Sequence, residues 1–187
     1  MFGVDVSEHN GDIDFNVIKK SGFDFAIIRT GWGLHEDSNF IQNVAGALQA
    51  GLKIGAYHYS YALNENQAKK EAIFARELIN GTGCLFELPI FFDFEDDEYK
   101  QSRNLIYSKE NITSICKSFL NNINLNAGIY SGLFIINSFI DWKTLKCPIW
   151  SAQWNIKDDF KGYMWQFSDS WEIGGKTFDV NFLYNGG

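Results

Sequence analysis

At 187 residues, 45% apolar and 21% charged, the chain has the size and composition of one globular domain with a single substantial core. Its formal net charge of −7, with no block among its 16 Lys and Arg, excludes a phosphate-binding surface for nucleic acid and makes anionic membranes poor partners. No apolar stretch approaches the ~20 residues that cross a bilayer, and Cys84, Cys116 and Cys147 lack any C-x-x-C spacing, so they read as small hydrophobes rather than zinc ligands or a disulfide framework.

The first predicted strand is FGVDVS, residues 2–7. A helix is expected over 14–21 with Gly22 as its stop, then the strand FDFAIIRTG, 23–31. A second helix, 39–50, carries Phe40, Ile41, Val44 and Leu48 on one stripe and ends at Gly51, ahead of KIGAYHYSY, 53–61. A third helix over 64–80 opens with Asn64 and Gln67 in capping-box spacing and stops at Gly81. The strand PIFFDFE, 89–95, follows, then a helix over 108–124 with Ile112, Ile115 and Phe119 on its apolar face, and the strand AGIYS, 127–131. After about residue 141 helical patterns fade, and PIWSAQW (148–154), YMWQFS (163–168) and TFDVNF (177–182) follow closely. Pro89 and Pro148 stand at strand entries, where a missing N–H does least harm. Alternation at this spacing predicts right-handed βαβ units in an α/β, mainly parallel sheet, and eight strands suffice to close it into a TIM-like barrel whose last part is irregular. The domain is expected to fill 1–184, with 185–187 in the tail YNGG starting a linker to a further module.

The stretch FFDFEDDEYK, 91–100, sets five acids in the six positions Asp93 to Glu98. Residues two apart in a strand share a face, so Phe91, Asp93 and Glu95 face one way while Ile90, Phe92 and Phe94 pack under helices. The same count turns Asp5 inward on the first strand and Asp179, with Asn181, inward on the last. Three strands thus each send a carboxylate, Asp5, Asp93 with Glu95, and Asp179, into the barrel near the end where such barrels carry their chemistry. Their own inward positions supply no cation, and four unpaired buried acids are expensive. Asp96, Asp97 and Glu98 are expected to be a solvated loop. Crowded carboxylates raise one another's pKa, and a carboxylic acid that stays protonated can protonate a leaving oxygen beside a carboxylate that supports developing positive charge, the logic of glycoside hydrolysis. The other use of such acids is a magnesium or calcium site, but DFEDDEY lacks the spacing and central glycine of a calcium hand, so neither metal nor cofactor is expected. Tyr57, Tyr59 and Tyr61 share inward parity, and Trp32, Trp150, Trp154 and Trp165 fall at or near strand ends, where rings can stack on sugars. His9, His35 and His58 show no ligand spacing, and neither a G-x-S-x-G nucleophile nor a glycine-rich phosphate loop is present.

Taken in order, GVDVSEHNGDIDF, FAIIRTGWG, GLKIGAYHYSY, PIFFDFE, AGIYSG, PIWSAQW, MWQFSD and FDVNF resemble the family 25 glycoside hydrolases, the Chalaropsis-type lysozymes, across nearly the whole chain. The resemblance implies a barrel of five βα units closed by three strands, and hydrolysis of the β-1,4 bond between N-acetylmuramic acid and N-acetylglucosamine in peptidoglycan. By motif, Glu95 resembles the general acid, Asp93 the orienting or stabilising carboxylate, and Asp5 and Asp179 the remaining acids. Tyr57, Tyr59, Trp150, Trp154, Trp165 and Gln166 resemble substrate-binding residues, although Trp154 stands where family members often have Tyr. The implied partner is the bacterial glycan strand, met at the cell wall as a phage endolysin or bacterial autolysin with a C-terminal wall-binding module. The opening MFGVDVSEHNG has no secretion signal, which implies holin-type release or a leader already removed. A non-catalytic carbohydrate-binding relative and a chitinase-like barrel hydrolase are the competing readings.

Overall fold

The computed structural model describes residues 1–184; the linker expected over 185–187 lies outside the described residues. Eight strands close a barrel: β1 (Phe2–Val6), β2 (Phe25–Trp32), β4 (Lys53–Tyr59), β5 (Ile90–Asp93), β6 (Ala127–Gly132), β7 (Ile149–Ala152), β8 (Met164–Ile173) and β9 (Lys176–Leu183). Neighbours from β1 through β2 and β4 to β8 pair parallel, while β9 pairs antiparallel with both β8 and β1 and so closes the ring. A two-residue strand not anticipated from the sequence, β3 (His35–Glu36), folds back on the end of β2.

Helices α1 (Phe15–Lys20), α2 (Phe40–Gln49), α3 (Glu65–Gly81) and α5 (Lys109–Ile123) stand where the apolar stripes place them. Asn64 caps α3 by accepting from the Gln67 N–H at 3.0 Å, and Gln67 Oε1 accepts from the Leu63 N–H at 2.7 Å, one residue earlier than a strict capping box. The α3 stop is corrected by two residues: Gly81 is still helical, and Gly83 takes the left-handed φ of +65°. Four short helices among the described residues escaped the sequence reading: a 3-10 turn (Glu8–Asn10), α4 (Glu98–Ser102), α6 (Leu133–Phe139) and α7 (Trp142–Leu145). None is long enough to show two turns of periodicity.

Strand parity holds within the barrel, apart from register shifts after Arg29 in β2 and after Gln166 in β8, and it sorts the core into two layers. Outward residues such as Val4, Ile28, Ile54, Phe92 and Ile129 pack against Ile18, Val44, Ile112, Phe119 and Ile136 of the helices. Inward residues Phe25, Ile27, Phe91, Tyr130, Trp150, Met164 and Leu183 fill the barrel. A side chain at Gly3 would overlap the Phe25 ring, so glycine is what lets β1 close against this plug. The plug makes the barrel a packed core and gives the carboxylates above it a floor.

Candidate active site

The four expected acids converge at the C-terminal ends of the parallel strands. Asp5 and Asp179 are directly paired across β1 and β9, and Asp93 stands between Tyr59 on β4 and Tyr130 on β6. β5 ends at Asp93, two residues short of the expected strand, so Glu95 sits on the rim rather than in the sheet. Asp5 and Asp93 are 6% and 3% exposed, whereas Glu95 is half-buried and lines an open cleft of about 320 Å³ with Asp96, Tyr130, Ala152 and Trp154.

Hydrogen bonds fix Asp5 from two sides. Its Oδ2 accepts from Gln166 Nε2 at 3.0 Å and from Asn181 Nδ2 at 2.7 Å. Behind them, Tyr130 Oη and Trp154 Nε1 donate to Gln166 Oε1 at 2.9 and 3.2 Å, and Trp150 Nε1 donates to Asn181 Oδ1 at 2.8 Å. Asp93 has no such harness, and its Oδ1 is buried without a hydrogen-bond partner.

The electrostatics follow from burial and crowding. Burial raises Asp5, offset in part by the Asn181 and Gln166 amides. Asp179 is pushed up to about 8 by burial and then by the Asp5 charge beside it. Asp93 is held well above the usual carboxylate range by burial and then by Glu95. Burial raises Glu95 too, with Lys100 pulling the other way. The cluster therefore retains protons at neutral pH that isolated carboxyls would have lost.

The cations that the acid-bearing strands lack come from elsewhere. Arg29, at the inward position of β2, holds Asp37 Oδ2 through Nε at 2.7 Å and Glu8 Oε1 through Nη2 at 3.3 Å. Lys100 on α4 is fully buried, 2.6 Å from Asp97 Oδ2, with its ammonium 5.3 Å from the Tyr59 ring centre and 5.1 Å from that of Phe94. This corrects the solvated-loop expectation for Asp97: it caps α4, binds Lys100 and accepts from Tyr59 Oη at 2.8 Å, while Asp96 and Glu98 are exposed as expected. Counting parity along β2 finds Arg29. No strand pattern finds Lys100, which reaches the site from a five-residue helix.

The expected aromatic residues divide. Tyr57 and Tyr59 face the site, and Trp154 is 62% exposed at the cleft wall. Trp150 is corrected: at 1% exposure it is part of the barrel plug, its ring tilted at 56° against Tyr130 with centroids 4.3 Å apart, and offers no open ring. Gln166, 2% exposed, orients Asp5 rather than facing the cleft. Trp165 is corrected as well, because its neighbours Met164 and Gln166 point into the barrel and its own ring points outward, its Nε1 donating to the Gln153 carbonyl at 2.7 Å. His58 is fully buried between Thr30 and the Gly33 carbonyl, its pKa pushed down to about 4 by burial, and is structural. Among the described residues, no three His, Cys, Asp or Glu side chains are arranged to hold a metal ion, and no helix is long and apolar enough to cross a membrane.

The chain is 28% identical to the autolytic lysozyme of Clostridium acetobutylicum, over 94% of this chain and 52% of that protein, and 25% identical to lysozyme M1 of Streptomyces globisporus, over 96% and 65%. It therefore spans between about half and two thirds of the length of these relatives. Among solved structures it superposes on the modular autolysin LytC of Streptococcus pneumoniae with a TM-score of 0.89 at 25% identity, covering 98% of this chain and 46% of that one. It shares its fold with a family 25 glycosyl hydrolase of Bacillus anthracis at a TM-score of 0.77 and 21% identity, covering 99% of this chain and 89% of that one. Since the sequence profile of the glycosyl hydrolases family 25 matches residues 4–176, from β1 with Asp5 through Asp93 and Glu95 to the start of β9, the chain belongs to that family.

Proposed function

We propose that the domain is a lysozyme-type N-acetylmuramidase that cleaves the β-1,4 bond between N-acetylmuramic acid and N-acetylglucosamine in bacterial peptidoglycan, with Glu95 as general acid. One observation carries this reading: of the four converging acids, Glu95 alone combines a raised pKa with a place on an open, aromatic-walled cleft. A substrate reaches it, and burial shifts it toward the protonated form that a general acid needs.

Glu95 protonates the glycosidic oxygen as the C1–O bond breaks, and positive charge develops on the sugar ring. The buried, donor-free Oδ1 of Asp93 suits the N–H of the substrate's 2-acetamido group. That hydrogen bond lowers the Asp93 pKa toward the ionised form and turns the acetamido oxygen onto C1. Water then attacks C1 from the side the leaving group vacated, the bond between C1 and the acetamido oxygen breaks with its electron pair returning to the acetamido group, and the Glu95 carboxylate takes the water's proton. Asp5, clamped by Gln166 and Asn181, and its partner Asp179 set the potential in which both steps occur. Tyr57, Tyr59 and Trp154 supply rings to the sugar. Action at the cell wall is supported by the autolytic lysozyme and autolysin relatives. Because LytC is modular and longer than this chain, a wall-binding module beside this domain in a longer protein belongs to the same reading.

The test is digestion of N-acetylated peptidoglycan by wild type and by Glu95→Gln, with mass spectrometry of borohydride-reduced products. Reduced N-acetylmuramic acid ends are expected from wild type, with the rate down by about 10²–10⁴-fold in the variant and an unchanged melting temperature. Reduced N-acetylglucosamine ends would make it a glucosaminidase, and near-normal turnover by the variant would remove Glu95 from its role.

A further inference from the structure

Phe178 and Val180 of β9 are buried in the same cluster as Phe15 and Ile18 of α1, but the rest of the outer face of β8 and β9 is open, and that open surface is aromatic. Trp171 and Phe2 are 49% and 48% exposed there, with Trp165 and Phe167 half-buried beside them. The rings run as a chain: Trp165 to Phe167 at 5.4 Å, Phe167 to Trp171 at 5.8 Å and to Phe2 at 6.1 Å, then Phe2 to Phe182 at 5.2 Å. They line a groove of about 810 Å³, within the range of built ligand clefts. An aromatic surface this continuous marks a binding site rather than scattered exposure.

Two features say what fits it. Trp154 lines both this groove and the Glu95 cleft, so the two adjoin at its ring, and its indole is fixed by the same Gln166 that orients Asp5. Among the described residues, Asp169 is the one charged side chain lining the groove, with no Lys or Arg, while Asn155, Ser168 and Ser170 add neutral polar groups. Anionic stem peptides and wall polymers find no counter-charge. A sugar chain finds flat rings for its C–H faces and acceptors for its hydroxyl and amide edges.

We propose that this groove is an extended glycan subsite, in which the strand leaving the Glu95 cleft passes over Trp154 and lies along Phe167, Trp171 and Phe2. The proposal rests on the glycan-cleaving function inferred above and adds a length requirement to it: long strands engage the outer rings, and short fragments do not.

The probes are peptide-free peptidoglycan glycans of four and of ten sugars. With Glu95→Gln protein, the indole N–H resonance of Trp154 is expected to shift with both and that of Trp171 with the ten-sugar strand alone. In the active enzyme, Trp171→Ala and Phe2→Ala are expected to lower kcat/KM on the long strand about tenfold and leave the four-sugar rate unchanged. A shift at Trp154 with both fragments and none at Trp171 would confine the glycan to the cleft and overturn the subsite while leaving the hydrolase intact. Equal losses on both lengths would make the rings merely structural. Sedimentation showing a wild-type dimer that Trp171→Ala dissolves would give the groove to a second copy instead, and binding of neither fragment would remove the hydrolase reading and the subsite together.

Discussion

The outward side chains of the helix-wrapped strands and those of the bare strands meet different surroundings in one barrel. Under α2, α3 and α5, Ile28, Ala56, Phe92 and Ile129 are wholly buried. Around β8, β9 and the start of β1 the cover is partial: Phe178 and Val180 are buried, but Phe2 and Trp171 are about half exposed. The same division runs through the site. Asp93 and Glu95 lie on the wrapped side, where Lys100 and Arg29 bring positive charge, whereas Asp179 lies on the bare side and the charges that act on it most are those of Asp5 and Asp169. Helices thus supply this barrel with cover and with one of its two site cations. Where they stop, the chain leaves aromatic surface and an acid pair that has to share protons.

The largest effect expected from this division is on stability. Phe119, on α5, is fully buried and packs on Phe92 at 4.5 Å. Phe119→Ala should destabilise by about 3–5 kcal/mol. Phe2→Ala, on the half-exposed bare face, should lose about 1 kcal/mol, since roughly half of the transfer free energy of a Phe side chain is at stake. Urea midpoints at unchanged m-value read both. Comparable losses would mean that the bare face is a second core rather than a surface.

How much of this was legible in the sequence follows the same line. The wrapped half announces itself, because helices of ten or more residues repeat their apolar positions and strands of parity two fix which acid faces inward. Asp5, Asp93 and Asp179 turn inward by that counting, whereas Glu95 lies two residues past the end of β5 and reaches the rim outside the sheet. The bare half and the rim were not so readable. Trp165 and Trp150 sit in similar W-containing runs, yet a strand's parity says only that neighbours alternate, and which of them faces in depends on the register of the partner strand. The β8–β9 hairpin runs past the barrel to a turn at Gly174 and Gly175, both with positive φ, where alternation alone suggested a strand ending near 168. Lys100 was hidden because a five-residue helix carries no period. Its i,i+3 spacing from Asp97 is the one local signal.

The bare-side acids give a smaller, pH-dependent effect. Asp179 has an ordinary carboxyl pKa of 3.8 when unfolded and about 8 in place. Below about pH 4 both states are protonated. Between these values the unfolded chain has released a proton that the folded chain retains, so stability falls as pH rises and levels off above about 8. Asp179→Asn removes the ionisation and keeps a donor for Asp5. Its melting temperature should match wild type near pH 4 and exceed it at pH 8. A wild-type slope unchanged by the substitution would assign the proton to Asp5 alone.

The finest test exchanges the wrapped side's cation for none. Lys100 lowers the pKa of both Asp93 and Glu95, and it is fully buried against Asp97, Tyr59 and Tyr61. In Lys100→Met both carboxyls rise. The acid limb of the pH–rate profile, set by the group that must be ionised, and the basic limb, set by the proton on Glu95, should then move to higher pH together. Lys100→Arg keeps the charge and should restore most of the wild-type profile. A structural role alone would lower the melting temperature without moving either limb. Movement of the basic limb by itself would separate Glu95 from Asp93, and would make Lys100 the residue that tunes the acid on the side of the barrel that has a helix to carry it.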